Sequence, residues 1–389
     1  MKGFLKIING NLLTPQGILK EATLVVCDGK IREITTDRPE IENAETYDAQ
    51  GNFVAPGFID MHVHGGGGRY FLEASKEAFN IINKAHALHG TTAIFPTLQS
   101  APMCQFAQAA EVCDALMRHP ESGAQVMGLH LEGDYLNPVR CGGQDPDSLL
   151  LPDPKVYRPF LESTPSLARW SAAPELPGAL EFGTFVSSKG VLVAIAHTVA
   201  DYPMVKAAWE HGFSHATHFY NAMTSVHKDR EFKHEGTVES IYLMDDMSVE
   251  VIGDGIHVPV PLLKLIYKIK GVERTSLVTD GMAYSAFDAQ KDTGQTDSPK
   301  IIIEDGVCKL ADRSALAGSI ATMDVVVRTM VQNAGISLTD AIRMASETPA
   351  RRMNIADRKG SLEKGKDADI VVLSKELEVI QTFCRGERI

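Results

Sequence analysis

Paired cysteines are missing from this sequence: its six cysteines, Cys27, Cys104, Cys113, Cys141, Cys308 and Cys384, include no CxxC spacing. That leaves neither a thiolate zinc motif nor a disulfide framework, and reduced, mostly buried thiols are expected. Positive charge is also short. Lys and Arg number 38 against 50 Asp and Glu, a formal net charge of −12, whereas nucleic-acid backbones are bound by clustered cations that outweigh the acids. A general nucleic-acid binder is excluded, and an anionic substrate would have to meet a local basic pocket. No run of about 18 apolar residues occurs, which argues against a membrane-spanning helix. Residues 1–11 are too short and too interrupted in apolar character for a secretory leader. A soluble, cytoplasmic chain with no membrane partner is expected. Internal repeats and low-complexity segments are absent as well.

What is present is an ordinary globular composition, 44% hydrophobic and 23% charged over 389 residues. That length suits one barrel of about 250 residues with a smaller accessory module. Residues 4–8, 22–27 and 31–34 read as short strands separated by turns such as Asp28-Gly29, and residues 368–373 and 378–383 read as strands again. The two ends, residues 1–54 and 353–389, are expected to build one small β-sandwich flanking a central domain of residues 55–352.

Within that central region short apolar runs alternate with helix-like segments. The runs are 58–63, 91–98, 126–131, 169–173, 192–196, 215–219, 249–252 and 276–279. Segments between them, such as 73–89, 106–118 and 201–211, space their apolar residues three and four apart, as amphipathic helices do. This order predicts an α/β fold, a closed (β/α)₈ barrel of the TIM type.

The polar residues sharpen the expectation. His62 and His64 end the first run, Glu132 the third, His197 the fifth, His218 the sixth and Asp280 the eighth, while His257 follows the seventh. Barrel enzymes carry their chemistry at the C-terminal ends of the strands, so these side chains should converge on one mouth. His62 and His64 are two apart on a strand and therefore share a face. Histidine and carboxylate side chains buried singly are costly, and gathered together they suit a divalent metal, Zn²⁺ or Fe²⁺. We therefore expect His62, His64, Glu132, His197, His218 and Asp280 as ligands. His211 and His215 are expected near the opposite, stability face, and His86 and His89 as solvated or structural helix residues. Gly65 to Gly68 lack the context of a phosphate loop and read as a flexible loop beside the metal.

Several motifs together resemble the amidohydrolase superfamily and, within it, the N-acetylglucosamine-6-phosphate deacetylases. They are Pro56-Gly57-Phe58-Ile59-Asp60 leading into His62 and His64, His130-Leu131-Glu132-Gly133, His197-Thr198, Thr217-His218-Phe219-Tyr220-Asn221-Ala222-Met223, Asp254-Gly255-Ile256-His257, Thr279-Asp280-Gly281, Leu316-Ala317-Gly318-Ser319 and the closing segment from Gly360 to Asp369. The His-Leu-Glu-Gly and Asn-Ala-Met segments point specifically at the sugar deacetylases.

The resemblance implies hydrolysis of the acetamide of an N-acetylhexosamine 6-phosphate, of gluco or galacto configuration. It implies a main metal on Glu132, His197 and His218. Retention of His62 and His64 then implies a second ion, so one or two per chain. Asp280 would act as general base and then general acid. Substrate contacts would come from Asn221, Ala222, His257, Gly143, Gln144 and Leu316, with Arg230 reaching the phosphate across the interface of a homodimer with shared sites.

Three departures from the family pattern stand out. Asp134 replaces the usual Pro and is either an extra ligand, a hydrogen-bond acceptor near the metals or a turn residue. Gln144 stands near the place of a histidine that polarises the acetyl carbonyl. The segment Arg230-Glu231-Phe232-Lys233-His234-Glu235-Gly236 is longer than usual, so Lys228, Lys233 or His234 could share the phosphate. Other readings of the same metal residues are an amidohydrolase for an unphosphorylated acetyl sugar, an N-acyl amino acid or a cyclic amide, and a non-catalytic scaffold.

Overall fold

A computed structural model describes residues 3–37, 39–287 and 300–389. Its central element is a parallel sheet in which the strand Phe58–Val63 pairs with Thr91–Leu98, followed in order by Leu129–Leu131, Leu167–Ala172, Leu192–Ile195, Phe213–Ala216, Ser248–Ile252 and Thr275–Val278. The last strand returns to the first, since Asp280 N donates to His62 O at 2.9 Å and His64 N to Gly281 O at 2.8 Å. The barrel is thereby closed, as the sequence pattern predicts. Asp60, fully buried on the first strand, reinforces the closure by accepting from Thr279 Oγ1 at 2.5 Å.

Two strands differ from the sequence reading for local backbone reasons. The run 126–131 is broken into Gln125–Val126 and Leu129–Leu131. Gly128 lies between them at φ 158°, and a Cβ there would stand 2.5 Å from that of Ala168. The strand expected at 215–219 runs Phe213–Ala216 instead. His218, at φ 26°, has already left the extended conformation.

Helices pack around the barrel where their apolar stripe and caps dictate. Lys76–Ala87 starts at Ser75, whose hydroxyl accepts from Ala78 N at 3.2 Å, and buries Phe79 and Ile82. Tyr202–Glu210 starts at Asp201, which accepts from Met204 N at 3.1 Å, and buries Val205 and Ala208. His86 in the first of these helices is structural, as expected: fully buried, it bonds Gly65 O at 2.9 Å. That contact also corrects the reading of Gly65 to Gly68. Gly65–Gly66 pairs with Arg69–Tyr70 in a small hairpin, and a Cβ on Gly66 would lie 2.6 Å from the His86 ring. The glycines permit close approach rather than flexibility.

The ends of the chain share one further sheet. Phe4–Thr14 pairs with Gly17–Cys27 and, in parallel, with Phe53–Pro56, which in turn pairs with Ile370–Leu373 and through it reaches Val379–Cys384. Alternate residues of these strands, Leu5, Ile7, Leu24, Val26, Val54, Ile370, Val372 and Phe383, form a separate apolar core. The small β-domain built from both termini is thus present.

Candidate active site

Three of the positions at which strands of the barrel give way to loops with functional side chains share an unusual backbone. His197, His218 and Asp280 have φ of 44°, 26° and 49°, in the left-handed region that non-glycine residues seldom occupy and that costs on the order of 1–3 kcal/mol each. The distortion turns their side chains inward over the barrel mouth.

There they meet Glu132, whose two carboxylate oxygens face different histidine pairs. Oε1 lies 3.2 Å from His197 Nε2 and 2.7 Å from His218 Nε2. Oε2 lies 3.4 Å from His62 Nε2 and 3.3 Å from His64 Nε2. Asp280 Oδ1 joins the second group at 3.3 Å from His62 and 3.2 Å from His64. All six residues that the sequence singles out are brought together, each buried.

The donor set fits a divalent cation on chemical grounds. His62 Nδ1 lies 2.6 Å from Glu250 Oε1 and His197 Nδ1 lies 2.6 Å from the backbone oxygen of Arg140. Both partners accept only, so both Nδ1 atoms donate, and each ring turns its Nε2 inward as the atom available to a metal. The inward Nε2 atoms crowd together, 3.3 Å from His62 to His64 and 3.1 Å from His218 to His197, beside the carboxylate oxygens. Imidazole nitrogens and carboxylate oxygens gathered this closely are a donor set suited to a shared divalent cation. Two groups could hold one, His62 with His64 and Glu132, and Glu132 with His197 and His218.

The electrostatics agree. Burial opposes charge on His62 and His64, yet Glu132, Glu250 and Asp280 raise His62 well above its ordinary value, and Asp280 and Glu132 raise His64 to about 9. Burial would raise the carboxyls of Glu132 and Asp280, but the surrounding imidazoles hold both well below the usual carboxylate range. The mouth is a concentration of negative charge that demands positive charge.

Above it lies a cleft of about 590 Å³, lined among others by Tyr70, Arg140, Gly143, Gln144, Asn221, Ala222, His257, Met282 and Leu316. His257 is held by Asp254, Nδ1 to Oδ2 at 2.7 Å, and its buried Nε2 has no partner among the described residues. Gly143 lies so near Ala317 that a Cβ would approach within 3.1 Å. Gln144 accepts from Ser100 N at 2.8 Å and donates to both the backbone oxygen and Oε2 of Glu132, each at 3.1 Å. Arg140 is the one Lys or Arg among the described residues lining the cleft. Arg230, by contrast, lies at the exposed turn of the hairpin formed by His227–Asp229 and Phe232–His234, outside the cleft wall of this chain. A larger groove of about 900 Å³ in the terminal β-domain, lined by residues such as Arg32, Glu33, Glu363 and Lys364, gathers no comparable chemistry.

Other sequence expectations are resolved by single contacts. Asp134 is buried and accepts from the Trp170 indole at 3.2 Å, and it is in neither ligand group. His89 pairs with Asp324 at 3.3 Å. His211 is exposed and bonded to Thr184. His215 is fully buried below the mouth, level with the start of the next strand, 2.6 Å from Ser248 Oγ and 3.5 Å from Glu250.

Sequence reasoning missed Glu250 and Arg169. Both are fully buried and paired to each other. Burial would raise the Glu250 carboxyl, but the Arg169 and His62 charges beside it hold it well below the usual range. A signal was present: Glu250 interrupts the apolar run Val249-Glu250-Val251-Ile252, and Arg169 opens another.

A parallel eight-stranded barrel whose C-terminal mouth gathers four imidazoles and two carboxylates defines a metal-dependent hydrolase. Residues 53–389 match the amidohydrolase family. The chain is 31% identical over 380 residues, 96% of its length and 94% of the relative, to the N-acetylglucosamine-6-phosphate deacetylase of Bacillus subtilis strain 168. It is 30% identical to the N-acetylgalactosamine-6-phosphate deacetylase of Escherichia coli O157:H7, covering 97% of each. It superposes with a TM-score of 0.88 on a mutant N-acetyl-D-glucosamine-6-phosphate deacetylase from Mycobacterium smegmatis in complex with N-acetyl-D-glucosamine-6-phosphate, at 29% identity and covering 100% of this chain and 99% of that one. The chain belongs to the amidohydrolase family and, within it, to the N-acetylglucosamine-6-phosphate deacetylases.

Proposed function

We propose that this chain hydrolyses the acetamide of N-acetyl-D-glucosamine 6-phosphate, releasing acetate and D-glucosamine 6-phosphate in amino-sugar breakdown. The observation that carries the reading is Glu132 shared between two histidine pairs at the foot of a sugar-sized cleft, in a chain of this family. His62, His64, Glu132 and Asp280 would hold one ion and Glu132, His197 and His218 another, with zinc or iron suited to the nitrogen and oxygen donors. Divalent ions, when bound, polarise the acyl carbonyl and make water a usable nucleophile near neutral pH.

The remaining work falls to the chain's own groups. Asp280, ionised and turned into the mouth by its backbone, takes the proton of the attacking water and returns it to the departing amine. Gln144 fixes the rotation of the Glu132 carboxylate. His257, held by Asp254, offers its free Nε2 to the sugar phosphate, and Asn221, Ala222, Gly143 and Leu316 shape the walls around the sugar. With so acidic a chain, phosphate needs a cation, and Arg140 is available from the same chain. Arg230 stands on a projecting hairpin with Phe232 63% exposed, a form suited to reaching a second copy in a homodimer with shared sites. Six free cysteines accord with a cytoplasmic setting. The division at residues 54 and 352 belongs to the same reading.

The galacto epimer is the second reading, favoured by the similarity to the Escherichia coli relative. Acetate release from the gluco and galacto 6-phosphates and from unphosphorylated N-acetylglucosamine, measured side by side, decides among them. Turnover of the gluco 6-phosphate at least tenfold faster than either alternative is expected; a preference for the galacto compound or indifference to phosphate would refute the substrate assignment.

A further inference from the structure

Beneath the metal mouth the barrel interior holds a layer of charge where bulky apolar side chains are usual. Arg169 pairs with Glu250 and also reaches Met61 O at 3.3 Å and Thr217 Oγ1 at 2.8 Å. Thr217 bonds Ser171 at 2.8 Å, Ser171 bonds His130 Nε2 at 2.8 Å, and His130 Nδ1 reaches Thr97 Oγ1 at 3.1 Å. Every one of these side chains is fully buried. A buried ion pair of this kind is weak support for stability, because desolvation offsets much of the attraction. Its placement points elsewhere.

Glu250 is the carboxylate of this network, and it touches one imidazole of the mouth directly. Its Oε1 accepts from His62 Nδ1 at 2.6 Å. The other three imidazoles of the mouth lack such a partner among the described residues: His197 has a backbone carbonyl, and the Nδ1 atoms of His64 and His218 meet no acceptor there. A carboxylate behind an imidazole fixes its tautomer and ring angle and raises its basicity as a ligand, and removing such partners commonly weakens metal binding 10- to 100-fold. Glu250 also accepts from His218 N at 3.0 Å, a bond to backbone that leaves the His218 ring untouched.

We infer that Glu250, kept in place by Arg169, is a positioning residue that sets the affinity of the His62, His64 and Asp280 ion position alone, leaving the His197 and His218 position independent of it. The inference rests on the two-ion reading above.

Cobalt(II) serves as probe: metal-stripped full-length protein is titrated with it, reading bound metal per chain and the visible spectrum. Wild type should take up two ions. Glu250→Gln keeps an oxygen for both bonds but removes the charge, and should retain one ion at wild-type affinity while the other weakens at least tenfold. Because Arg169 would then be buried unpaired, the double variant Arg169→Met/Glu250→Gln is titrated as well and should show the same selective weakening. In a His62→Ala background, Glu250→Gln should add no further loss. Two ions bound at wild-type affinity in both Glu250 variants, or equal weakening of both ions, overturns the inference while leaving the two-ion reading intact. A single ion in the wild type overturns both.

Discussion

Gln144 and Glu132 are joined twice, the Gln144 amide lying 3.1 Å from both the backbone oxygen and Oε2 of Glu132. The shared carboxylate can serve two histidine pairs only in one rotation, and Gln144 is the side chain that holds it there. Gln144→Ala should therefore weaken metal binding or lower kcat about 10- to 100-fold, with little change in thermal stability. Metal titration and steady-state kinetics on the same preparation check this; wild-type values for both would remove Gln144 from the site.

Asp280 and His197 should separate chemistry from metal retention. Asp280→Asn keeps an oxygen toward the mouth but cannot act as base, so kcat should fall by on the order of 10²–10⁴-fold with metal still bound. His197→Ala should lose the ion of its own group. Elemental analysis beside turnover distinguishes the two, and a fully metalled His197→Ala protein would show the site to be misassigned.

Phosphate recognition is open to a direct comparison. Arg140→Ala and His257→Ala should each raise KM for the 6-phosphate about tenfold or more, consistent with loss of a charge-assisted hydrogen bond worth about 1.5–3 kcal/mol. Arg230→Ala should do so only if the protein is a homodimer, which sedimentation of the same sample reports. An unchanged KM in all three variants would mean that the phosphate is held elsewhere.

His86 gives the fold a dependence on acid. Burial pushes its imidazole down to about 4, while in the unfolded chain it titrates near its ordinary value of about 6.5. A depressed histidine leaves the unfolded state binding more protons between those limits, so stability is complete above about pH 6.5 and is lost as pH falls toward 4. The contribution is about 3 kcal/mol. Denaturant unfolding of wild type and His86→Gln at pH 7 and pH 4 should show the wild type losing more by roughly that amount; parallel losses would contradict it.

Much of this was legible in the chain because local pattern and function coincide. The runs 58–63 and 91–98 match the strands Phe58–Val63 and Thr91–Leu98, and polar residues ending apolar runs marked the mouth. What was not legible depends on neighbours distant in sequence. The alternation of one strand shows that Glu250 shares an inner face, but not that Arg169 and His62 meet it from other strands. Gly65 to Gly68 look mobile until Gly281 O is seen to accept from Gly65 N at 2.9 Å.

The central claim is that metal gathered around Glu132 hydrolyses an acetylated amino-sugar phosphate. Its most direct test follows acetate released from N-acetyl-D-glucosamine 6-phosphate by metal-stripped protein as zinc or iron(II) is restored, with ions per chain counted at each step. The account predicts no turnover without metal, recovery that saturates as occupancy approaches two, and equal amounts of acetate and amino-sugar phosphate. Full metal occupancy with no acetate released, or undiminished release from stripped protein, would contradict it.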